Sequence, residues 1–304
     1  MIVKHNVDIG KICWLNLPGV NMGKIQNLYY PETVDELVEV CRALQKHDEP
    51  FYVFGHMSNS YFKNTFTPPH VVITSKLRCY NVLRDCVVCD CGASIRQVAR
   101  RMVDEGVEGF DGLWDLPGTV ASAVYGNSGC FGCEMSDIFH SAEILTPQGE
   151  IKVVTPVDLN FVRRNSNIKK GILKGVILRV TLKKVKGNAA DIQKRAMRAH
   201  HLRETTQPGP QNNLGSCFMS GERRLWYRIM QRLVRMYLKQ TGQNPSSALA
   251  LELKLLGHRH LVPYLFEMNR FIWKDAGAVD AFEEYVSLYK KLYKGAKLEI
   301  NVFE

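Results

Sequence analysis

Short apolar runs alternate with amphipathic helical segments through the first 182 residues, and this alternation most restricts the folds open to the chain. Apolar side chains recur every three or four residues over 31–45 and 94–105, which predicts helices there. The apolar runs predict strands over 51–54, 70–74, 86–91, 141–146, 151–155 and 172–182. Strand, turn and helix in alternation are typical of a mixed α/β architecture.

Beyond residue 183 the sequence becomes more polar and mostly helical. A helix is predicted over 189–204, and Pro208-Gly209-Pro210 ends it, so we interpret 183–213 as the passage into a second domain. Later helices are predicted over 222–240, 263–269 and 278–294, followed by a strand over 297–303.

Composition narrows the class of protein. The 304 residues are 45% hydrophobic and 23% charged, which excludes disordered, collagen-like and coiled-coil chains. No apolar run approaches the roughly 20 residues that cross a bilayer, and the first 18 residues lack the apolar core of a secretory signal. Nine cysteines, an odd number spread along the chain, favour a reducing compartment. We expect a soluble cytoplasmic protein.

The net charge of +10 originates in one segment. Residues 183–240 carry 13 Lys and Arg against 3 Asp and Glu, whereas the rest of the chain is balanced. Such a concentrated field indicates either an anionic partner, namely a phosphate or a membrane surface, or a solvated basic face with no partner. Nucleic acid is not expected as a partner, because aromatic residues are sparse there and no nucleic-acid-reading motif is present.

The predicted helix over 222–240 carries much of that charge. Five cations share one stripe of it, with apolar side chains on the adjoining stripe: Arg224, Arg228, Arg232, Arg235 and Lys239. Three interpretations stay open, namely a helix packed on its own domain, a phosphate-facing helix, and a peripheral membrane contact.

Four motifs are candidates for chemistry. Residues 55–59 (Gly-His-Met-Ser-Asn) follow a predicted strand and form a tight turn whose backbone N–H groups can point at one anion. Residues 116–129 are rich in small side chains, which permit close backbone approach. The other two motifs are 161–166 (Phe-Val-Arg-Arg-Asn-Ser) and 215–218 (Gly-Ser-Cys-Phe).

In this order and spacing the motifs resemble those of the UDP-N-acetylenolpyruvoylglucosamine reductase (MurB) family, flavoenzymes of peptidoglycan precursor synthesis. The family's Gly-Gly-Gly-Ser-Asn turn is similar to 55–59, and its Gly-Ile-Pro-Gly-Thr-Val-Gly-Gly-Ala segment is similar to 115–123. Its Asn-Ala-Gly-Ala-Tyr-Gly stretch resembles 127–132. Its Tyr-Arg-x-Ser and Gly-Ser-x-Phe motifs resemble 163–166 and 215–218.

The resemblance implies an α+β FAD-binding fold of the vanillyl-alcohol-oxidase type. Two FAD-binding α/β subdomains, over 1–75 and 76–185, are expected to precede a C-terminal α+β substrate domain over 186–304. FAD is the implied cofactor and NADPH the implied reductant. The implied FAD-binding residues are Gly55, His56, Met57, Ser58, Asn59, Ser60, Pro117, Gly118, Thr119, Ser122, Ala123 and Asn127.

By the same resemblance the chain is expected to be an oxidoreductase that reduces the enolpyruvyl ether of a UDP-sugar. Hydride addition places negative charge on the carbon next to the substrate carboxylate, so the reaction needs a fixed cation and a proton donor. Arg164 matches the family arginine that holds this carboxylate, and Ser216 matches the proton donor.

The chain also departs from the family. Asn301 stands where the family has a catalytic glutamate, and an amide cannot carry its charge. Glu299 lies two residues earlier on the same predicted strand, so it is a candidate substitute. These changes keep open a divergent FAD-binding protein of surface-glycan or natural-product synthesis that acts on another ligand without the family reaction. A non-enzymatic basic scaffold is a third interpretation.

Cysteine spacing offers a zinc site as a rival hypothesis, through Cys86, Cys89, Cys91, Cys130 and Cys133. Period-2 alternation along the predicted strand sends Cys86 and Cys89 to opposite faces, while Cys89 and Cys91 share one. Buried reduced thiols are therefore expected, with no metal. Covalent attachment of the flavin through His56 remains open.

Overall fold

The computed structural model describes residues 1–15, 17, 19–209, 212–219 and 221–304. Its α-helices are α1 Val34–Lys46, α2 Ile95–Asp104, α3 Val120–Gly126, α4 Met135–Ile138, α5 Pro156–Leu159, α6 Ala189–Thr206, α7 Leu225–Gln240, α8 Ala248–Leu255 and α9 Ala278–Leu292. Its strands are β1 Ile2–Asp8, β2 Lys24–Tyr30, β3 Phe51–Phe54, β4 Ser60–Phe62, β5 His70–Ile73, β6 Tyr80–Val82, β7 Cys86–Asp90, β8 Gly129–Cys130, β9 Cys133–Glu134, β10 Phe139–Leu145, β11 Ile151–Val154, β12 Val176–Lys183, β13 Phe218–Met219, β14 Glu222–Arg223, β15 Leu265–Glu267, β16 Arg270–Phe271, β17 Tyr293–Lys294, β18 Lys297–Leu298 and β19 Asn301–Phe303.

The chain divides into two compact units. Unit 1 comprises residues 1–11, 22–57 and 64–206, and unit 2 comprises residues 12–21, 58–63 and 207–304. Unit 1 holds a four-stranded sheet in the order β1-β2-β5-β3 and a five-stranded sheet in the order β11-β10-β12-β7-β6. The pairs β2–β5 and β3–β5 are parallel, whereas the five-stranded sheet is antiparallel throughout. The α+β class expected from the sequence is confirmed.

Local capping explains where the first two helices begin. The Thr33 side chain accepts a hydrogen bond from the backbone N–H of Glu36, and Ser94 accepts one from Gln97. The apolar face of α1 packs in one core cluster with side chains of β5 and β12, whereas α2 packs in a second cluster with β7 and β12. Helix α2 lies within one residue of its predicted range at both ends, whereas α1 begins at Val34, three residues later than predicted, because Thr33 caps it.

Helix α6 belongs to unit 1. Ile192 and Ala196 are fully buried in the same core cluster as α2, and the unit boundary falls after Thr206. The domain boundaries expected from the sequence place α6 in the C-terminal domain, which was expected to begin at 186. The polar composition of 183–206 suited a linker, but one apolar stripe of α6 is enough to bury the helix against α2. Pro210, in the predicted break, lies outside the described residues.

Unit 2 is built around aromatic side chains. Phe218 stacks on Tyr289 at 4.0 Å between ring centroids, and Trp273 lies 4.7 Å from Phe282. Its strands pair in short ladders, namely β13–β18, β14–β17, β15–β16 and the parallel pair β4–β19. Within the described residues of both units, no helix has the length and apolar character needed to span a bilayer.

Several elements differ from the sequence predictions. The predicted helix over 263–269 is wrong, because a 3-10 turn, Arg259–Tyr264, leads into the β15–β16 hairpin instead. Pro263 has no N–H for a longer helix, and pairing with β16 satisfies the backbone that follows. The predicted strand over 297–303 is interrupted at 299–300, because β18 pairs with β13 and β19 pairs with β4. Helix α8 and strands β1 and β2 were not predicted.

Candidate active site

Two of the sequence motifs meet inside unit 1. A Cβ atom added to Gly55, directly after β3, would lie 2.6 Å from the Oγ1 atom and 2.8 Å from the Cγ2 atom of Thr119. Distances below 3.0 Å are not tolerated by real Cβ atoms, so only glycine permits this approach. Thr119 is the N-cap of α3 and forms a capping box with Ser122. The turn after β3 and the start of α3 therefore form one continuous backbone surface.

Backbone N–H groups on this surface divide into occupied and available ones. Those of Val120 and Ala121 donate to carbonyl groups of Ala93 and Cys91 at 2.8 and 3.2 Å, and those of 119 and 122 serve the capping box. Within the described part of unit 1, the N–H groups of His56, Met57 and Gly118 donate to no protein acceptor. These three positions, together with Gly55, whose N–H group also donates to no protein acceptor among the described residues, can receive an anion.

His56 and Met57 replace family glycines in the turn. Met57 adopts a φ of +54°, the left-handed region that favours glycine, and its side chain is buried. Burial, with a further contribution from Arg78, lowers the pKa of His56, so its imidazole is neutral at neutral pH. The turn thus keeps a glycine-like backbone while presenting one uncharged imidazole.

Asn127 holds the loop that follows α3. Its Nδ2 atom donates to Glu134 Oε2 and to the Val162 carbonyl, both at 3.1 Å, and its Oδ1 atom accepts from the Ser136 N–H at 2.9 Å. Asn127 is 1% exposed, and its backbone adopts a φ of +41° at the C-cap of α3. It therefore joins the α3 loop to the 162–165 turn through protein contacts.

Arg164 lies at the tip of that turn, in unit 1. Reciprocal backbone hydrogen bonds between Val162 and Asn165 close the turn, and the buried Ser166 hydroxyl donates to the Tyr125 carbonyl at 2.8 Å. Arg164 has a φ of +56°, and its Nη2 atom donates to the Gly129 carbonyl at 2.6 Å. A carboxylate oxygen of Glu134 lies 3.9 Å from Nη1. The guanidinium is therefore oriented by the chain before any ligand binds.

Ser216 lies in unit 2, on a backbone clamped on both sides. The Gly215 N–H donates to Asn213 Oδ1 at 2.8 Å, and the Cys217 N–H donates to the Asn269 carbonyl at 3.0 Å. Asn269 also exchanges two side-chain hydrogen bonds with the Phe218 backbone. The Ser216 hydroxyl is half-buried and makes no hydrogen bond within the described residues. Asn269, which sequence reasoning missed, therefore sets the position of a hydroxyl group that is free to donate.

Asn59 and Asn301 form a second polar centre of unit 2. Asn59 Nδ2 donates to the Leu214 carbonyl at 2.8 Å, which leaves its Oδ1 atom as an acceptor. Asn301 Nδ2 lies 3.2 Å from both the backbone oxygen and the Oδ1 atom of Asn59. Ser60 follows on β4 and pairs with Asn301. Asn59, which belongs to the predicted FAD-binding turn, therefore bonds both to Asn301, the predicted third catalytic residue, and to Leu214, just before Ser216.

Glu299 does not share a strand with Asn301, so that prediction is wrong. Strand β18 ends at Leu298 and β19 begins at Asn301, and the Glu299 N–H donates to the Cys217 carbonyl at 2.8 Å. The period-2 argument that placed both side chains on one face needs a continuous strand, which is absent here. The remaining predicted FAD-binding positions, Ser58, Pro117 and Ala123, lie in the two motif segments.

Two cysteines of the rival zinc hypothesis, Cys89 and Cys91, lie apart from each other. Cys89 and Cys91 are buried in different core clusters, because β7 ends at Asp90 between them, so they do not share a face as the sequence suggested. Burial raises the pKa of both thiols to about 12 and that of Cys133 to about 11. Such thiols stay protonated at neutral pH and do not favour thiolate ligation.

A cluster of His258, His260 and Glu284 in unit 2 was not noticed in the sequence. One donor atom from each lies within 4.8 Å of the others. The carboxylate accepts from both imidazoles and thereby ties the 3-10 turn to α9. Spacing alone does not reveal it, because Glu284 is 24 residues from His260.

Asp115 links α6 to the segment that carries Gly118 and Thr119, and it is expected to stabilise unit 1. Its buried carboxylate lies 2.7 Å from Arg100 Nη2 and 2.6 Å from His200 Nδ1. Burial alone would raise the pKa of this carboxyl, but the hydrogen bonds from His200 and Arg100 outweigh it and hold the pKa below its usual value. Asp115→Asn should lower the free energy of unfolding at neutral pH by about 1–3 kcal/mol.

Because the folded-state pKa is depressed, this contribution is complete above the unfolded-state pKa of about 4 and disappears as the pH falls through the folded-state value. Urea unfolding of wild type and variant across that range measures the difference. Asp104→Asn, an exposed change on α2, is the matched control. A difference that stays constant down to the most acidic pH would contradict the assignment.

The chain is similar in sequence to known FAD-binding proteins. A family of FAD binding domains matches residues 25–155. The UDP-N-acetylenolpyruvoylglucosamine reductases of Enterococcus faecalis and Paramagnetospirillum magneticum are each 30% identical, over 64% and 66% of this chain. The alignments span 65% and 64% of those relatives, so the chain matches just under two thirds of their length.

The fold is similar over a longer range than the sequence. The crystal structure of MurB from Thermus caldophilus aligns over 100% of both chains with a TM-score of 0.69, at 21% identity. This likeness shows a shared fold, while the sequence relatives and the FAD binding domain support the resemblance seen in the motifs. In sequence and in fold the chain is similar to the UDP-N-acetylenolpyruvoylglucosamine reductases (MurB), as a divergent relative, and residues 25–155 match a family of FAD binding domains.

Proposed function

We propose that this protein is an FAD-dependent oxidoreductase that uses NADPH to reduce the enolpyruvyl ether of a UDP-sugar, as the names of its relatives indicate for them. The observation that carries the proposal is the approach of Gly55 to Thr119 inside a domain of the FAD-binding family. The uncommitted N–H groups of His56, Met57 and Gly118 fit a pyrophosphate, because consecutive amides form a concave anion site.

The residues of the chain would perform the following tasks. Bound FAD supplies hydride transfer from NADPH to the substrate. The Arg164 guanidinium, oriented by the Gly129 carbonyl, would hold the substrate carboxylate and stabilise the charge that develops beside it. The Ser216 hydroxyl would donate a proton to the neighbouring carbon. Neutral His56 adds no charge beside the phosphate groups.

Nine cysteines, none joined in a disulfide among the described residues, support a reducing compartment such as the cytoplasm.

The replacement of the family glutamate by Asn301 favours a second candidate, a flavoprotein that acts on a different glycan-related ligand. The two candidates share the FAD site and differ in the substrate, so FAD binding tests what they have in common.

Gly55→Ala is expected to weaken FAD binding by roughly tenfold or more, because the new methyl group displaces Thr119 and with it the start of α3. The measurement is a titration of the flavin-free protein with FAD, in which flavin fluorescence reports binding. Gly209→Ala is the matched control, because nothing lies within 4 Å of its added Cβ and its φ is not positive. Wild-type protein that remains flavin-free in excess FAD would refute the proposal.

A further inference from the structure

Cations of the basic segment have different surroundings in unit 1 and in unit 2. In unit 1, Lys184 pairs with Glu105 at 3.1 Å and Arg195 with Asp111 at 3.0 Å. In unit 2, five cations of α7 and its N-cap have no carboxylate within ion-pair distance in the described part of the chain: Arg224, Arg228, Arg232, Arg235 and Lys239. Helix α7 contains no Asp or Glu. The uncompensated positive charge is therefore concentrated on this helix.

Helix α7 also exposes large apolar side chains. Only Tyr227, Gln231, Val234 and Leu238 are buried. Six others are between 48% and 70% exposed: Leu225, Trp226, Ile229, Leu233, Met236 and Tyr237. At 100° per residue the six lie within one third of the helix circumference, beside the basic stripe and away from the buried face. An exposed apolar patch of this size marks a binding surface.

We propose that α7 docks the protein on an anionic lipid surface. A helix with cations on one stripe and Trp, Tyr, Leu and Ile on the next lies in the plane of a bilayer interface, with its apolar side chains in the acyl boundary and its cations at the phosphate groups. Trp226 and Tyr237 suit the boundary between headgroups and acyl chains. Helix α7 lies in unit 2 and outside residues 25–155, and the proposal does not depend on the proposed reaction.

Charge and polarity disfavour the other occupants. A second copy of the same helix offers only cations to the five cations, since α7 has no acidic residue. A nucleic acid would satisfy the cations but would leave six apolar side chains without an apolar environment. Anionic lipid matches both stripes, because phosphate groups and acyl chains lie next to each other in a bilayer.

Vesicle binding by the full-length, FAD-loaded protein tests the proposal. We expect it to co-sediment with vesicles of phosphatidylcholine containing phosphatidylglycerol, and not with phosphatidylcholine alone. Binding should weaken as salt is raised, because screening shortens the range of the attraction. Brominated acyl chains should quench the fluorescence of Trp226, and this loss should be absent in Trp226→Phe.

Paired substitutions separate the two stripes. Arg228→Gln with Arg235→Gln should weaken partitioning roughly tenfold to thirtyfold, and Ile229→Ser with Leu233→Ser at least tenfold. The matched controls are Lys290→Gln with Lys291→Gln on α9 and Leu255→Ser on α8, all exposed residues of the same unit. Controls should bind like wild type, and circular dichroism should show that every variant is folded.

Four results would overturn the proposal. They are failure to bind anionic vesicles at low salt, equal loss of binding in the control variants, absence of quenching by brominated lipid, and dimers in solution that Ile229→Ser with Leu233→Ser dissolves. The last result would assign the apolar stripe to a second copy of the chain.

Discussion

Ser216→Ala is expected to lower turnover of the UDP-sugar enolpyruvyl ether by about a hundred- to ten-thousand-fold, the usual effect of removing a positioned proton donor. The hydroxyl group is half-buried, and its backbone is clamped by Asn213 and Asn269. Alanine keeps that backbone and removes only the hydroxyl group with its proton. Steady-state NADPH oxidation in the presence of substrate measures the loss.

The half-reactions separate this role from a structural one. Reduction of bound FAD by NADPH without substrate should stay close to the wild-type rate, because it needs no proton from Ser216. The loss of visible flavin absorbance measures this rate. Ser287→Ala, an exposed change on α9, is the matched control. Equal turnover in wild type and Ser216→Ala would remove Ser216 from the proposed chemistry.

Asn301→Glu is expected to destabilise unit 2 by about 1–3 kcal/mol and to give no gain in reduction of UDP-N-acetylglucosamine enolpyruvate. The Asn301 amide donates to two oxygen atoms of Asn59, and Asn59 is held as an acceptor by its own bond to the Leu214 carbonyl. A carboxylate has no donor and would place negative charge against those oxygens. Urea unfolding and NADPH oxidation measure the two effects.

Asn301→Gln provides the comparison, because glutamine has the length of glutamate and keeps the amide. The difference between the Glu and Gln variants therefore reports charge and donor capacity rather than size. A Glu variant that is as stable as the Gln variant and faster than wild type would show that position 301 has lost a catalytic carboxylate.

Features set by neighbouring residues were predictable from the sequence. Thr33 and Ser94 cap helices whose apolar side chains recur with helical period, so α1 and α2 form nearly where the pattern places them. The order and spacing of four short motifs led to the FAD-binding family. Each cap, each apolar period and each single motif lies within a short stretch of chain, where hydrogen bonding and side-chain period depend on local sequence.

Contacts between residues far apart in the sequence could not be predicted from local patterns and became known only from the tertiary structure. Period-2 alternation joined Glu299 and Asn301 on one strand, but the chain breaks there because β18 and β19 have different partners. The bond between Asn301 and Asn59 spans 242 residues, and no local pattern predicts it. Sequence showed that α7 has basic and apolar stripes, but burial of Tyr227 and Val234 is what leaves Ile229 and Leu233 exposed. A helical period shows which side chains share a face, whereas the packing of the rest of the chain selects which face is buried.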